Sequence, residues 1–437
     1  MTDKMQVNLR QVAMEILYEV QKNNGLLHVV LSDALKKYQY LDKNERSFIS
    51  RLVQGTEERK IELDYIIDSF SKTPVKKQKD VIRIILEMSV YQLKYMDSVP
   101  ASAVCNEAVK LAVKKNFGTL RGFVNGVLRN IARNIDNIEY PDKSTNTDKY
   151  LSVKYSVPEE LAGYFLKKFG DNETEEMFEA FNKDKSTYIR CNTKKTDIAG
   201  LTAALEAEGV TVTNEGIDKR IDYALKISGY DYLGGLKSFR DGLFFVQDIS
   251  SMLASQGGFI KRDAYVIDVC AAPGGKSINA ALMADIGHVS SRDISGRKVS
   301  LIKENAERLG IDNITYKVWD AVKKDEESVE DVLICDLPCS GLGIIGRKPD
   351  IKYNVTYEKI KELALLQRKI LSTVWEYVKK DGILIYSTCT VTPEENAENT
   401  EWLVNNYPFE LIGKPEQIMP QDGTGDGFYI ARLKRTE

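Results

Sequence analysis

The chain has 437 residues, 43% hydrophobic and 29% charged, with a formal net charge of −3. This is ordinary for a soluble globular chain of roughly two to four domains, and no uninterrupted apolar run approaches the ~18 residues of a membrane span. The polar stretch Met1 to Arg10 lacks an apolar signal-peptide core, so a cytoplasmic protein is expected.

Through about residue 140 the apolar spacing predicts helices. Val12, Ile16, Leu17 and Val20 share one face, as do Phe48, Leu52 and Val53, and Ile82, Ile85, Leu86, Ser89 and Val90. A further helix pair spans Val99 to Arg133, with Gly118 as the break. These stripes read as the core of a bundle. Lys110, Lys114, Lys115, Arg121, Arg129 and Arg133 follow one another without an Asp or Glu, and Lys72, Lys76, Lys77, Lys79 and Arg83 form a second basic cluster. Such patches bind phosphates even on a slightly acidic molecule; on charge alone, solvated helix faces are an equal alternative.

The polar segment Ile135 to Lys149 reads as a linker. A small α+β subdomain follows to about Arg240, with strands expected at Thr187–Asn192 and Leu225–Ile227 and a helix at Ile198–Glu208. From Asp241 short apolar runs alternate with helical stretches: Tyr265–Cys270, His288–Asp293, Ile314–Val318, Val332–Leu337 and Ile383–Ser387, with helices at Lys298–Leu309 and Tyr357–Val378. That alternation predicts a parallel α/β sheet covered on both faces. The expected domains are therefore 1–140, 141–240 and 241–437.

The first strand of the third domain enters Asp268-Val269-Cys270-Ala271-Ala272-Pro273-Gly274-Gly275-Lys276-Ser277. Strand, small-residue turn and helix form a nucleotide crevice, where glycines let the backbone approach a ligand. Asp293 ends the second strand, placed for ribose hydroxyls, and Asp320 follows the third, placed for an adenine amino group. Neither GxGxxG nor a complete phosphate-binding GxxxxGK[ST] is present. The ordered set points to an adenosine-type cofactor.

The fourth strand ends Cys335-Asp336-Leu337-Pro338-Cys339-Ser340-Gly341, and the fifth ends Tyr386-Ser387-Thr388-Cys389-Thr390. In a doubly wound sheet these ends face the cofactor crevice. Carbon 5 of cytosine is too poor a nucleophile to take a methyl group unaided, and a thiolate adding to carbon 6 activates it. Asp336 is placed to stabilise the charge that develops on the ring. Which cysteine attacks is open at this point. The six cysteines, Cys105, Cys191, Cys270, Cys335, Cys339 and Cys389, show no CxxC spacing, and with only His28 and His288 beside them neither a disulfide framework nor a metal site is expected.

The C-terminal part resembles the RNA cytosine-5 methyltransferases of the Sun/Fmu (RsmB) type, related to the NSUN group. The matching motifs are Val246-Gln247-Asp248, DVCAAPGGK at 268–276, DLPCSG at 336–341, RKPDIKY at 347–353, STCT at 387–390, PEEN at 393–396 and GDGFYIARL at 425–433. The resemblance implies a class I Rossmann-like methyltransferase domain. In it Cys270, Ala271, Ala272, Pro273, Gly274, Gly275, Lys276, Asp293, Asp320 and Asp336 would bind S-adenosylmethionine. Cys389 would be the nucleophile and Cys339 would assist product release. The N-terminal part resembles the helical RNA-binding domain of NusB, through Leu52-Val53-Gln54-Gly55-Thr56, Val99-Pro100, Asn106-Glu107-Ala108-Val109 and Phe123-Val124-Asn125-Gly126-Val127-Leu128-Arg129. This fusion implies 16S ribosomal RNA as partner and substrate, with no membrane and no obligate protein partner. Lys114, Lys115, Arg121, Arg129, Arg347 and Lys348, together with Lys352, are the candidate RNA contacts. The same chemistry on tRNA, and a non-catalytic NusB-like binding or antitermination factor, are the alternatives. Two departures stand out: Leu337 replaces a small residue, and Ser291-Arg292 is polar where an apolar pair is usual.

Overall fold

A computed structural model describes residues 7–23, 25–183, 185–325, 329–423 and 425–437. Most of the polar N-terminal stretch considered above, residues 1–6, lies outside them. The chain forms two compact units, Met1–Asn182 with Lys348–Asn354, and Lys183–Arg347 with Val355–Glu437.

The first unit is helical. Its main helices are Leu9–Lys22, Lys43–Glu58, Lys60–Phe70, Asp80–Tyr95, Ala101–Lys114 and Arg121–Asn134. The side chain of Asn8 caps the first by accepting from Gln11 N, and Asp42 with Glu45 forms a capping box on the second. The predicted stripes meet in one core containing Leu17, Ile49, Leu52, Ile85, Leu86 and Leu128, all under 1% exposed. Each such side chain contributes about 1.5–3 kcal/mol. At Gly55 an added Cβ would lie 2.0 Å from the Tyr91 ring, so the helices bearing them require glycine there.

The helical unit runs past the expected limit of 140. The segment read as a linker is laid against it: Tyr140 donates its hydroxyl to Glu62, and Asp142 closes a turn by accepting from Ser144 N at 2.9 Å. The helices Thr147–Tyr155, Glu159–Phe169 and Asp171–Phe181 then complete the unit.

The unit also takes in Lys348–Asn354 from far down the chain. Lys352 donates to Glu58 O at 2.7 Å and Tyr353 to Glu57 O at 2.8 Å. Both carbonyls belong to the last turn of Lys43–Glu58, which has no intrahelical donors for them and favours a cation. Asp350 accepts from Leu27 N at 3.2 Å. Lys352 is 1% exposed, which corrects its reading as a phosphate contact.

Burial pushes the Lys352 amine down to about 7. Between pH 7 and the ordinary lysine range near 10.5 the unfolded chain therefore binds more protons at this residue than the folded one, and stability rises with pH. We expect the urea midpoint of the intact protein to increase from pH 7 to pH 9, and this part of the slope to disappear in Lys352→Met. An unchanged slope in the variant would contradict the buried-amine account.

The second unit contains two sheets. In the smaller, β1 (Thr187–Cys191), β2 (Thr211–Thr213), β3 (Ala224–Ser228) and β4 (Phe244–Val246) run antiparallel in the order β2-β3-β1-β4. The helix Ile198–Ala207 packs on it through Leu201 and Leu205. This sheet closes on β4, beyond the boundary expected at 240.

The larger sheet comprises β5 (Tyr265–Asp268), β6 (His288–Asp293), β7 (Ile314–Val318), β8 (Glu330–Asp336), β9 (Val378–Thr388), β10 (Phe409–Leu411), β11 (Glu416–Ile418) and β12 (Phe428–Arg435). The order is β10-β12-β9-β8-β5-β6-β7, with β11 on β12. The strands β5 to β9 pair in parallel, while β10, β11 and β12 are antiparallel. Val266, Ile267, Val332, Leu333 and Ile334 are at most 1% exposed, as central strands covered on both faces require. The polar pair in β6 is accommodated differently. Ser291 is buried outright, and Arg292 donates to Asp325 at 2.7 Å while its guanidinium lies 5.2 Å from the Trp319 ring. The strand order reverses between β5 and β8, which makes their C-terminal ends the topological switch point where such sheets bind ligands.

Candidate active site

The loop leaving β5 is shaped by its neighbours. Asp268 accepts from Ser277 Oγ at 2.7 Å, Ala271 N donates to Arg292 O at 2.9 Å, and Gly274 N donates to Ala271 O at 2.7 Å. Gly274 has φ +105°, and a Cβ there would press on Ile302 and Ile278 at 3.1 and 3.2 Å. Glycine is therefore needed for both conformation and space. The helix Gly275–Met283 begins here, with its free amides at the switch point. Burial raises Asp268 to about 7.

Asp293, 3% exposed at the end of β6, accepts from Ala272 N at 3.1 Å and from Ile294 N at 2.8 Å, which locks its rotamer. Lys298 pairs with it at 3.1 Å from a largely exposed position. Asp320 follows β7 and accepts from Val322 N at 3.2 Å. A glycine cradle, a helix N-terminus and two fixed carboxylates on successive strand ends suit an adenosine-bearing cofactor. The Gly-Lys-Ser tail that resembles a phosphate loop has other work: Ser277 holds Asp268, and Lys276 holds Asp336.

Lys276 donates to Asp336 Oδ2 at 2.8 Å and to Ser251 Oγ at 3.1 Å, and Ser387 Oγ donates to Asp336 Oδ1 at 2.8 Å. Asp336 is thus clamped from both neighbouring strand ends, with 31% of its side chain open.

Cys339 and Cys389 leave β8 and β9 and bring their sulfurs to 3.2 Å, both half-buried. The hydrogen bond to Cys389 pushes the Cys339 thiol well above its ordinary range, and burial adds to the effect. Either thiol can donate across this contact. Burial and the adjacent carboxylates also raise Cys270, and burial raises Cys335, so neither is a reactive thiolate. Leu337 is buried in the apolar layer behind the site.

The candidate RNA contacts divide. Lys114, Arg121 and Arg129 are exposed on the helical unit, while Lys115 pairs with Glu15 at 2.7 Å. Lys348 is half-buried within the short segment that the helical unit takes in. Arg83, from the second basic cluster, is paired with Asp64 and Glu87. Arg347 bridges Asp248 at 2.7 Å and Asp426 at 2.6 Å and donates to Ser186 O at 3.1 Å. Its expected phosphate role is corrected accordingly: the guanidinium ties together three motifs that the sequence presents separately. Arg190, which drew no attention in the sequence, is buried and donates to Gly275 O at 3.2 Å behind the cofactor loop. Among the described residues no group of side chains has metal-ligand geometry, and no helix is long and apolar enough to cross a membrane.

Residues 260–434 match the family described as 16S rRNA methyltransferase RsmB/F, and residues 7–133 match the NusB family. The chain is 35% identical to the probable ribosomal RNA small subunit methyltransferase B of Bacillus subtilis, over 98% of this chain and 99% of that one. It is 32% identical to the Synechocystis protein of the same description, over 98% and 100%. The solved structure of PH0851 superposes with a TM-score of 0.82 at 25% identity, covering 98% of this chain and 99% of the other. With an N-terminal NusB domain, a doubly wound methyltransferase sheet and full-length relatives of one kind, the chain belongs to the RsmB/F family of 16S rRNA methyltransferases.

Proposed function

We propose that this protein methylates carbon 5 of a cytosine in 16S ribosomal RNA, using S-adenosylmethionine and a covalent bond between Cys389 and the RNA. The observation that carries the reading is the pair of thiols 3.2 Å apart at neighbouring strand ends, beside the clamped Asp336. The 16S substrate is supported by the names of the full-length relatives and by the match to NusB. Cys270 to Lys276, Asp293, Asp320 and Asp336 would hold the cofactor, which supplies an electrophilic methyl group when bound.

The Cys389 thiolate adds to carbon 6, and the ring's electrons then make carbon 5 the nucleophile. The negative charge that this addition puts on the ring is neutralised by a proton at ring nitrogen 3, which Asp336, held in place by Lys276 and Ser387, would relay from solvent and take back when the ring is restored. Once the sulfur of Cys389 is bonded to carbon, it is no longer a thiol partner for Cys339. The Cys339 thiol then gives its own proton to solvent, and the thiolate so formed takes the carbon 5 proton. Departure of the Cys389 thiolate restores the aromatic ring and frees the product. Single-stranded or loop RNA suits this chemistry, because its bases turn into a pocket without breaking a duplex. Exposed Lys114, Arg121 and Arg129 are the phosphate contacts we favour on the helical unit.

The test is to incubate the protein with labelled S-adenosylmethionine and unmodified 16S RNA, with tRNA in parallel, and to map the methylated nucleotide. One 5-methylcytosine in 16S RNA is expected. Label in tRNA alone would overturn the substrate, and label on any atom other than carbon 5 would overturn the chemistry.

A further inference from the structure

The PEEN segment, Pro393 to Asn396, is the motif that the reaction above leaves without a task. Its last two residues are deeply buried, Glu395 at 0% and Asn396 at 1% exposed. Glu395 Oε1 accepts from Ser340 N at 2.8 Å and from Gln367 Nε2 at 3.1 Å. The same Gln367 nitrogen donates to Pro338 O at 3.0 Å. One amide–carboxylate pair thus holds the carbonyl before Cys339 and the amide after it. Glu395 Oε2 accepts from Thr392 Oγ1 at 2.7 Å.

Asn396 treats Cys389 in the same way. Its Nδ2 donates to Thr390 O at 3.0 Å, and its Oδ1 accepts from the Thr388 hydroxyl. The second Nδ2 proton goes to Gln417 Oε1 at 2.8 Å, so both amide protons are used. The two cysteine loops are also joined directly, Ser340 Oγ to Thr390 Oγ1 at 2.8 Å and Gly343 N to Cys389 O at 3.0 Å. Gly343 permits this approach, since a Cβ there would lie 2.9 Å from Cys389 O and 2.0 Å from Gly427 O.

We propose that Glu395 and Asn396 are positioning residues that set the distance between the Cys339 and Cys389 sulfurs. Each grips residues that flank one cysteine, and the single peptide bond between them fixes the spacing of the two grips. The proposal rests on the cysteine roles given above. It assigns the two residues different consequences, one for each thiol step, which a role confined to folding would not produce.

The experiment is a single-turnover reaction of the full chain with RNA and S-adenosylmethionine, following both methyl product and the RNA–protein adduct on denaturing gels. Glu395→Ala loosens the Cys339 loop: adduct is expected to form at the parent rate but to decay about a hundredfold more slowly, and so to accumulate, the scale of an ångström-level misplacement. Asn396→Ala loosens Cys389: adduct formation is expected to slow by about the same factor, with no accumulation. Glu395→Gln keeps the shape and one acceptor, so it shows the Glu395→Ala signature at smaller amplitude and serves if the alanine variant does not fold. Calorimetric affinity for S-adenosylmethionine stays at the parent value in every folded variant. Equal effects on formation and decay in both variants, or none in either, would overturn the proposal. Cys339→Ala, run alongside, separates the two layers: if it traps no adduct, the cysteine roles fail; if it traps one and neither Glu395 variant does, the positioning claim alone fails.

Discussion

Cys389→Ala is expected to abolish RNA methylation, a loss on the order of 10⁴-fold or more, because a covalent nucleophile acts as a unit with its partners. Binding of S-adenosylmethionine stays close to normal, since none of the groups around the Gly274-Gly275 loop, Asp293 or Asp320 depends on that sulfur. Folding is also expected to survive: Cys389 is half-buried, and its backbone oxygen, which alanine retains, makes the contact to Gly343 N. Filter binding of labelled methyl product together with calorimetry of the cofactor distinguishes this from general damage. Methyl transfer near the parent rate would remove Cys389 from the mechanism.

Cys339→Ala is expected to have the opposite signature. The Cys389 thiolate still adds to the base and carbon 5 is still methylated, but the group assigned to take the carbon 5 proton is gone. RNA then stays attached to the protein and survives denaturing electrophoresis. Multiple turnover falls to the level of slow spontaneous release, about 10²–10⁴-fold below the parent if Cys339 acts as a general base. Free turnover without adduct would assign that proton to another group.

Much of this was readable from the chain, and the reasons are physical. The strands β5 and β8 carry short apolar runs, Val266-Ile267 and Val332-Leu333-Ile334, bounded by turns, and β6 and β7 fall where the sequence places them. Their ends carry Asp268, Asp293, Asp320, Asp336 and Cys339, so knowing the sheet placed most of the site. The sequence-based limits of the helical unit and of the small sheet were less accurate. Tyr140 and Asp142 order a polar segment through side-chain bonds that composition does not display. The strand β4 is only three residues long and is identified by pairing with β1 across more than fifty positions. The short segment from Lys348 to Asn354 has no periodicity at all. It is held because Lys352 and Tyr353 meet the open carbonyls of a helix end almost three hundred residues earlier in the chain.

The site shows the same division. The reacting groups have recognisable chemistry; the groups that hold them do not. Glu395 and Gln367 sit in stretches whose composition suggests solvent-facing residues, and their burial is explained only by partners far away in sequence. Arg347 is the converse: a basic residue beside lysines suggests a phosphate contact, whereas Asp248 and Asp426 claim both sides of its guanidinium. Charge in a sequence reports what a residue can pair with, and the fold decides with what.

The measurement that bears most directly on the central claim is mass mapping of the adduct trapped by Cys339→Ala after digestion of protein and RNA. The account predicts one methylated cytidine bonded to the peptide that contains Cys389. A nucleotide on a peptide containing any other cysteine, or an adduct through a residue other than cysteine, would contradict it.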